Sequence, residues 1–258
     1  MSRAAPSALS ARLAAAGLDW IVPDWPAPAR VCALSTTRNG RAGASFDLSR
    51  DHPAFERAQG ELRQWLPADP VWLKQVHGAA ICDADAASSP GRDETLIADG
   101  AVARLAGTVC AVQCADCLPI LLCDRAGDVV AAAHAGWRGL AAGVLEAALS
   151  AMAAAPSEVC AWLGPAIGPR AFEVGEDVLA AHCAEDPEAA ACFTPQRPGK
   201  WLADLYALAR RRLRRAGVAT IHGGDRCTVT EPGSFHSYRR DGGSAAGRMA
   251  TLIWIATP

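Results

Sequence analysis

Apolar and polar positions along this chain alternate between two periods, and each change of period marks an element. Residues 31–36 form a short apolar run that follows Pro23, Pro26 and Pro28, which predicts a first strand. Pro53 opens a helix through residue 66, with Phe55, Ala58, Leu62 and Trp65 at helical spacing. Residues 72–76 are strand-like and deliver His77 to a turn at Gly78. Residues 83–93 mix Asp, Ser, Pro and Gly without an apolar period, which predicts a surface loop. Buried strands are predicted at 109–112, 118–123 and 129–133. Leu140, Val144, Ala148 and Met152 then recur every four residues, a helix that stops before Pro156. A strand at 160–163 breaks at the Gly164-Pro165 and Gly168-Pro169 turns. Helices follow at 176–183 and 202–215, the second closed by Gly217, and residues 249–255 form a last apolar strand. This order is too irregular for a simple doubly wound sheet, and no repeat of 20–50 residues is visible. The expected fold is one α+β domain with a large mixed sheet, residues 1–30 being a poorly defined N-terminal extension.

At 258 residues and 51% hydrophobic, a chain of this size removes roughly three quarters of its unfolded surface from water, so it needs no covalent staple. The longest uncharged stretches, such as 105–115 and 159–169, have 11 residues, well short of the ~20 that span a bilayer. Arg12 interrupts the alanine-rich N-terminus, which argues against a cleaved secretory signal. A cytoplasmic protein without a membrane segment is expected. In that reducing setting most of the ten cysteines read as buried small hydrophobes rather than a disulfide framework. A formal charge of −2 argues against nucleic acid as a partner. The basic residues are 23 Arg and 2 Lys, and a guanidinium grips phosphate or carboxylate with two parallel hydrogen bonds.

Three segments share one grammar, in which an apolar strand ends in a metal-capable side chain and a small residue turns the backbone. They are Lys74-Gln75-Val76-His77-Gly78, Cys114-Ala115-Asp116-Cys117-Leu118-Pro119 and His134-Ala135-Gly136-Trp137-Arg138-Gly139. Two imidazoles and a thiolate suit zinc as a three-ligand site whose fourth position is open. The spacings, 40 residues from His77 to Cys117 and 17 from Cys117 to His134, match no compact zinc finger and suit a catalytic site better. The ordinary alternative, hydrogen-bonded core histidines and an inert buried cysteine, stays open on these residues alone. Cys114 reads as packing, since a zinc ribbon needs a second Cys-x-x-Cys pair. A second constellation suits anions: Arg38 follows Thr36-Thr37, Arg138 opens a helix beside His134, and Arg239-Arg240 follow Ser237-Tyr238. Each also reads as a solvated surface charge. Residues 210–215 read as the dipole-favoured end of a helix.

Gln75-Val76-His77-Gly78, Ala115-Asp116-Cys117-Leu118-Pro119, His134-Ala135-Gly136-Trp137-Arg138-Gly139, Gly164-Pro165-Ala166-Ile167-Gly168-Pro169 and Ser237-Tyr238-Arg239-Arg240-Asp241 together resemble the bacterial YfiH-like, or laccase-domain, family. The similarity runs from about Thr36 to the C-terminus. It departs from the family pattern at Asn39-Gly40-Arg41-Ala42-Gly43, at Ser45-Phe46-Asp47-Leu48 and at Glu56-Arg57. The resemblance implies one zinc held by His77, Cys117 and His134. It further implies phosphorolysis of adenosine, inosine, guanosine or methylthioadenosine, with adenosine deamination as a second reaction. Arg38, Gln75, Arg138 and Arg239 are the expected substrate- and phosphate-binding residues, and Asp116 or a water on zinc the acid that protonates the departing purine. The expected partners are a small-molecule nucleoside and phosphate, with no nucleic acid and no membrane, and the chain is expected to be a monomer. Family members are also described as copper-dependent polyphenol oxidases and as peptidoglycan-editing proteins. Copper fits the same ligands, with Met1, Met152 and Met249 as the available axial donors, although no His-x-His pair is present for a trinuclear cluster. A third reading makes Cys117 a nucleophile activated by His134, in a hydrolase or amidase. The zinc nucleobase-deaminase signature is absent, so any deamination would be a convergent use of zinc.

Overall fold

Strands that are apolar on both faces need cover on both sides, and this requirement arranges the whole chain. The computed structural model describes residues 8–88, 95–243 and 246–257. In chain order it runs α1 (Ala8–Ala15), β1 (Val31–Ser35), α2 (Phe55–Arg63), β2 (Pro70–Val71), β3 (Ile81–Asp83), α3 (Ala84–Ala87), β4 (Gly100–Ala103), β5 (Val109–Cys114), β6 (Leu118–Asp124) and β7 (Val130–Ala135). It continues with α4 (Trp137–Ala141), α5 (Val144–Met152), β8 (Val159–Leu163), β9 (Glu173–Val174), α6 (Glu176–Cys183), β10 (Phe193–Arg197), β11 (Lys200–Ala203), α7 (Leu205–Arg215), β12 (Thr220–Gly223), α8 (Tyr238–Asp241) and β13 (Met249–Ile255).

Six strands form a mixed sheet in the order β12-β8-β6-β7-β4-β3, and four form a second in the order β1-β13-β5-β2. A small antiparallel sheet, β10-β11-β9, stands apart. The two large sheets stack, with β5 and β13 against β4, β6 and β7. Side-chain alternation divides each strand between two cores. In β6, Leu118, Ile120 and Leu122 face the helices, packing with Leu140, Leu145, Val178 and Leu208 from α4 to α7. Leu121 and Cys123 of the same strand face the second sheet, with Cys110, Val112, Cys160, Trp162 and Ile253. The outer face of the four-stranded sheet is covered by α1 and α2, through Leu13, Ala58 and Leu62 on Val109, Leu252 and Trp254. Four layers result, and the α+β class with mixed sheets is what the pattern predicts.

All ten cysteines are free thiols. Those between the sheets behave as small hydrophobes: burial drives the Cys110 thiol far up and Cys123 to about 12, which leaves them inert. Among the described residues no helix is long and apolar enough to cross a membrane.

Several elements differ from the pattern. Residues 72–76 are not a continuous strand, because the ladder stops after β2 and a side chain takes over. Gln75 Nε2 donates to Gln113 O (2.7 Å) and Gln113 N donates to Gln75 Oε1 (2.7 Å), so an amide imitates the next strand residue while the backbone turns toward His77. The helix predicted around 140–152 is two, α4 and α5, parted at Gly143 with φ 89°. Within 83–93 lies α3, whose Asp83 carboxylate accepts from Asp85 N and Ala86 N, an N-cap; residues 89–93 lie outside the described residues. Leu202 belongs to β11, and α7 starts later, at the cap Asp204, which accepts from Ala207 N (2.9 Å). The strands β4, β10 and β12 are too short or too polar for the pattern to reveal. Residues 8–30 are no loose extension, since Leu13, Leu18 and Trp20 are buried in the outer core and Trp20 Nε1 donates to Asn39 O (2.9 Å).

One buried group sets an acid limit. His182 of α6 is 3% exposed, its Nε2 has no partner, and burial, with Arg212 nearby, lowers its pKa to about 4. An unfolded histidine titrates near 6.5, so the unfolded chain takes up a proton that the folded chain refuses. This stability contribution is complete above pH ~6.5 and is lost as pH falls toward 4, by roughly 3 kcal/mol in all. Denaturant unfolding of the wild type and His182→Leu across that window will show the variant with a clearly shallower decline; parallel curves would refute the assignment.

Candidate metal centre

The ladder that joins β6 to β7 places two of the three predicted ligands. Leu118 pairs with Ala135 and Pro119 with His134, so Cys117, one step before β6, lies beside the end of β7. His134 shares the parity of Val130 and Ala132, which face the second sheet. His77 arrives from that second sheet, on the turn beyond β2, with a left-handed backbone (φ 61°). The donor atoms of His77, Cys117 and His134 all lie within 4.8 Å of one another. The two imidazoles stand edge to face, centroids 4.9 Å apart at 72°. Gly136 permits this approach, since a Cβ there would lie 2.9 Å from Cys117 Sγ and 3.1 Å from His77 Cδ2.

This donor set fits a zinc or copper ion: one soft thiolate and two imidazoles, with three protein ligands converging and a further position free. Its electrostatics favour the metal-binding form of the thiol. Burial would raise the Cys117 pKa, yet the positive charge of His134, its hydrogen bond, and His77 together bring it below the ordinary thiol value. Burial would likewise lower His134, but the Cys117 thiolate and Asp99 outweigh it and raise the imidazole. Both directions favour a thiolate facing an imidazolium, and a metal held there would displace the imidazolium proton.

Asp99, at the entrance to β4, was not among the predicted residues. Its carboxylate is fully buried and accepts from His134 Nδ1 (2.9 Å). The only trace in the sequence is one acid inside the apolar run Ile97-Ala98-Asp99-Gly100-Ala101-Val102, because burying a carboxylate requires charged or hydrogen-bonding company.

The other predicted residues are distributed differently. Asp116, in a left-handed conformation (φ 90°), accepts from Thr228 Oγ1, from Ser237 Oγ (3.0 Å) and from Arg239 N (2.6 Å). Through these three bonds Asp116 ties the Cys117 turn to residues 228 and 237–239, a holding contact where the sequence suggested an acid. Gln75 is likewise engaged with the backbone of β5 rather than free for substrate. Arg38 leaves the end of β1 and donates to Pro232 O (3.0 Å). Arg138 is exposed at the start of α4, its guanidinium 4.2 Å from the Trp137 ring centre. Arg239 is exposed, donates to Glu173 O (3.1 Å) and lies over Phe172. Cys114 is buried, its thiol driven up by burial, and packs as expected.

Fold and trio together define a single α+β domain with a metal-capable centre of two histidines and one cysteine where its stacked sheets end. The chain belongs to the multi-copper polyphenol oxidoreductase laccase family, whose model matches residues 34–256. Purine nucleoside phosphorylase PA4543 of Pseudomonas aeruginosa is 48% identical over 245 residues, spanning 92% of this chain and 98% of that protein. Purine nucleoside phosphorylase YfiH of Escherichia coli is 49% identical over 245 residues, spanning 91% and 98%. The crystal structure of Neisseria meningitidis protein NMB0706 matches at TM-score 0.86 and 48% identity, over 93% of this chain and 100% of that one. YlmD from Geobacillus stearothermophilus matches at TM-score 0.80 and 30% identity, over 89% and 93%.

Two outcomes follow from the geometry. Alkylation of Cys117 in chelator-treated protein will titrate below the ~8.5 of a free thiol, and His134→Ala will move the midpoint up; an unshifted wild-type midpoint would refute the thiolate–imidazolium pair. Gly136→Ala will lower metal content per chain, measured by atomic emission, because the new methyl displaces Cys117 Sγ or the His77 ring; full occupancy would show the approach to be slack.

Proposed function

We propose that this chain is a zinc-dependent purine nucleoside phosphorylase, acting on adenosine, inosine, guanosine or methylthioadenosine, with adenosine deamination as a second activity. The observation that carries this reading is the convergence of His77, Cys117 and His134 in a chain nearly half identical, almost end to end, to proteins named purine nucleoside phosphorylases. Its partners on this reading are a small-molecule nucleoside and phosphate, and it works as a monomer in the cytoplasm.

His77, Cys117 and His134 would hold the metal, which supplies a Lewis acid beside the substrate. In phosphorolysis an oxygen of phosphate forms a bond to C1′ of the ribose while the C1′–N9 bond breaks. The electron pair of the broken bond leaves with the purine, which takes up the proton that the hydrogen phosphate gives up, and ribose 1-phosphate remains. Arg38 and Arg239 are the guanidinium groups that would hold the phosphate dianion. Asp116 contributes indirectly, by fixing the Arg239 backbone and the Cys117 turn through the bonds described above. Arg138, braced on Trp137, would orient an anionic or hydroxyl group of the substrate.

The oxidase reading ranks lower for a structural reason. Among the described residues, which include all six histidines, the trio is the only metal-capable group of three or more His, Cys, Asp or Glu donors, so no second cluster for oxygen reduction is built. Met249 Sδ accepts from His236 N (3.2 Å), and Met152 is packed in the helix-side core.

The deciding experiment is chromatography of products from adenosine with zinc-loaded protein, with and without phosphate. Adenine and ribose 1-phosphate should appear only with phosphate, and inosine in both conditions. Cys117→Ala should reduce both products by at least ~100-fold, the upper range for losing support of a metal site. No product from wild-type protein would overturn the proposal.

A further inference from the structure

Both histidines of the trio meet the same buried carboxylate. Asp99 Oδ1 accepts from His77 N (2.8 Å) and from His134 Nδ1 (2.9 Å). Asp99 Oδ2 accepts from Gly78 N (2.7 Å) and Val76 N (3.2 Å). Its own backbone is engaged too: the N–H donates to Ala80 O (2.9 Å) and the carbonyl accepts from His134 N (2.7 Å).

We propose that Asp99 is the positioning residue of the metal centre, the group that selects the ligating nitrogen of His134 and holds the turn that presents His77. The proposal rests on the zinc reading above and extends it to a residue outside the ligand set.

An imidazole can offer either nitrogen, and which one is free is decided by the hydrogen bond the other makes. With Nδ1–H donated to Asp99, Nε2 is the nitrogen left for a metal. The His77 turn needs a holder because a left-handed backbone at a side chain with a Cβ costs roughly 1–2 kcal/mol. The three successive N–H groups of Val76, His77 and Gly78 all converge on this one carboxylate, an anion-holding nest of backbone amides. An Asn at 99 keeps the shape but removes one charge. It also turns an NH2 group toward N–H donors on one side or the other.

Three measurements test this on the full chain. Zinc affinity, read by competition with a chromophoric chelator, should weaken about 10- to 100-fold in Asp99→Asn, the range for loss of a group that orients a metal ligand. Leu121→Ala, which loosens the interface between the sheets, controls for lost stability and should bind zinc like the wild type. Histidine-selective NMR needs no variant, and in the wild type should place a slowly exchanging, downfield proton on His134 Nδ1 with and without zinc. In Asp99→Asn that proton should move upfield and exchange faster, because a neutral amide is a weaker acceptor than a carboxylate.

Wild-type zinc affinity in Asp99→Asn, equal weakening in Leu121→Ala, or a His134 proton found on Nε2 in the loaded wild type would each overturn the assignment. A wild type that binds no zinc would instead refute the metal reading. In the metal-free imidazolium both nitrogens carry a proton, so there the bond to Asp99 is read from slow exchange at Nδ1, and fast exchange would overturn the assignment.

Discussion

The six-stranded sheet must be covered on both faces, and the second sheet on one side and helices α4 to α7 on the other satisfy that constraint. From β6, Leu121 and Cys123 face the second sheet, while Leu118, Ile120 and Leu122 face the helices. A slip of one residue would exchange those sets and turn a tight core into voids and clashes. Losing a single buried leucine to alanine costs about 2–5 kcal/mol, so the register is strongly held. That register also fixes the chemistry: pairing of Leu118 with Ala135 brings the Cys117 turn to the end of β7, where His134 points between the sheets.

Where the stacked sheets end, the packing changes from apolar to polar and opens toward solvent, with His77 exposed, Cys117 half-buried and His134 buried. His134 and Asp99 are 3% and 0% exposed, and Asp116 is also buried. Charges in such a place persist only with partners. Two carboxylates have taken different kinds of work for this reason. Asp99 faces imidazole and backbone N–H groups around the trio, whereas Asp116 faces Thr228, Ser237 and the Arg239 backbone and ties the Cys117 turn to the C-terminal segment. Left-handed backbones at His77 and Asp116 sit at the same two turns. Strain of this kind gathers where a site dictates the direction of a side chain.

Family membership and donor chemistry point in partly different directions, and the structure weighs them. The family's name speaks of several coppers. The described residues build one trio, and the Pseudomonas and Escherichia relatives, at 48% and 49% identity, carry a phosphorylase name. A single ion held by two imidazoles and a thiolate would suit Lewis-acid chemistry on a small substrate, whereas reducing oxygen to water takes several cooperating redox centres.

The sequence by itself determined which residues are chemically eligible and the broad layering. His77, Cys117 and His134 stand at apolar-run ends next to glycines or a left-handed turn, and the long runs of β5, β6, β7, β8 and β13 are apolar at successive positions, as strands buried on both faces require. Local pattern also found α2, α6 and most of α7, because helical period survives in a single amphipathic face. Only the tertiary structure decided how those residues are used. That Gln75 completes a strand, that Asp116 is a clamp, that Asp99 belongs to the site, and that residues 8–30 cover a sheet all depend on contacts between segments tens to hundreds of positions apart. Hydrophobic period records which side of an element is buried but not what lies against it. A buried carboxylate's role is set by the donors that surround it, and those donors are assembled only when the sheets close.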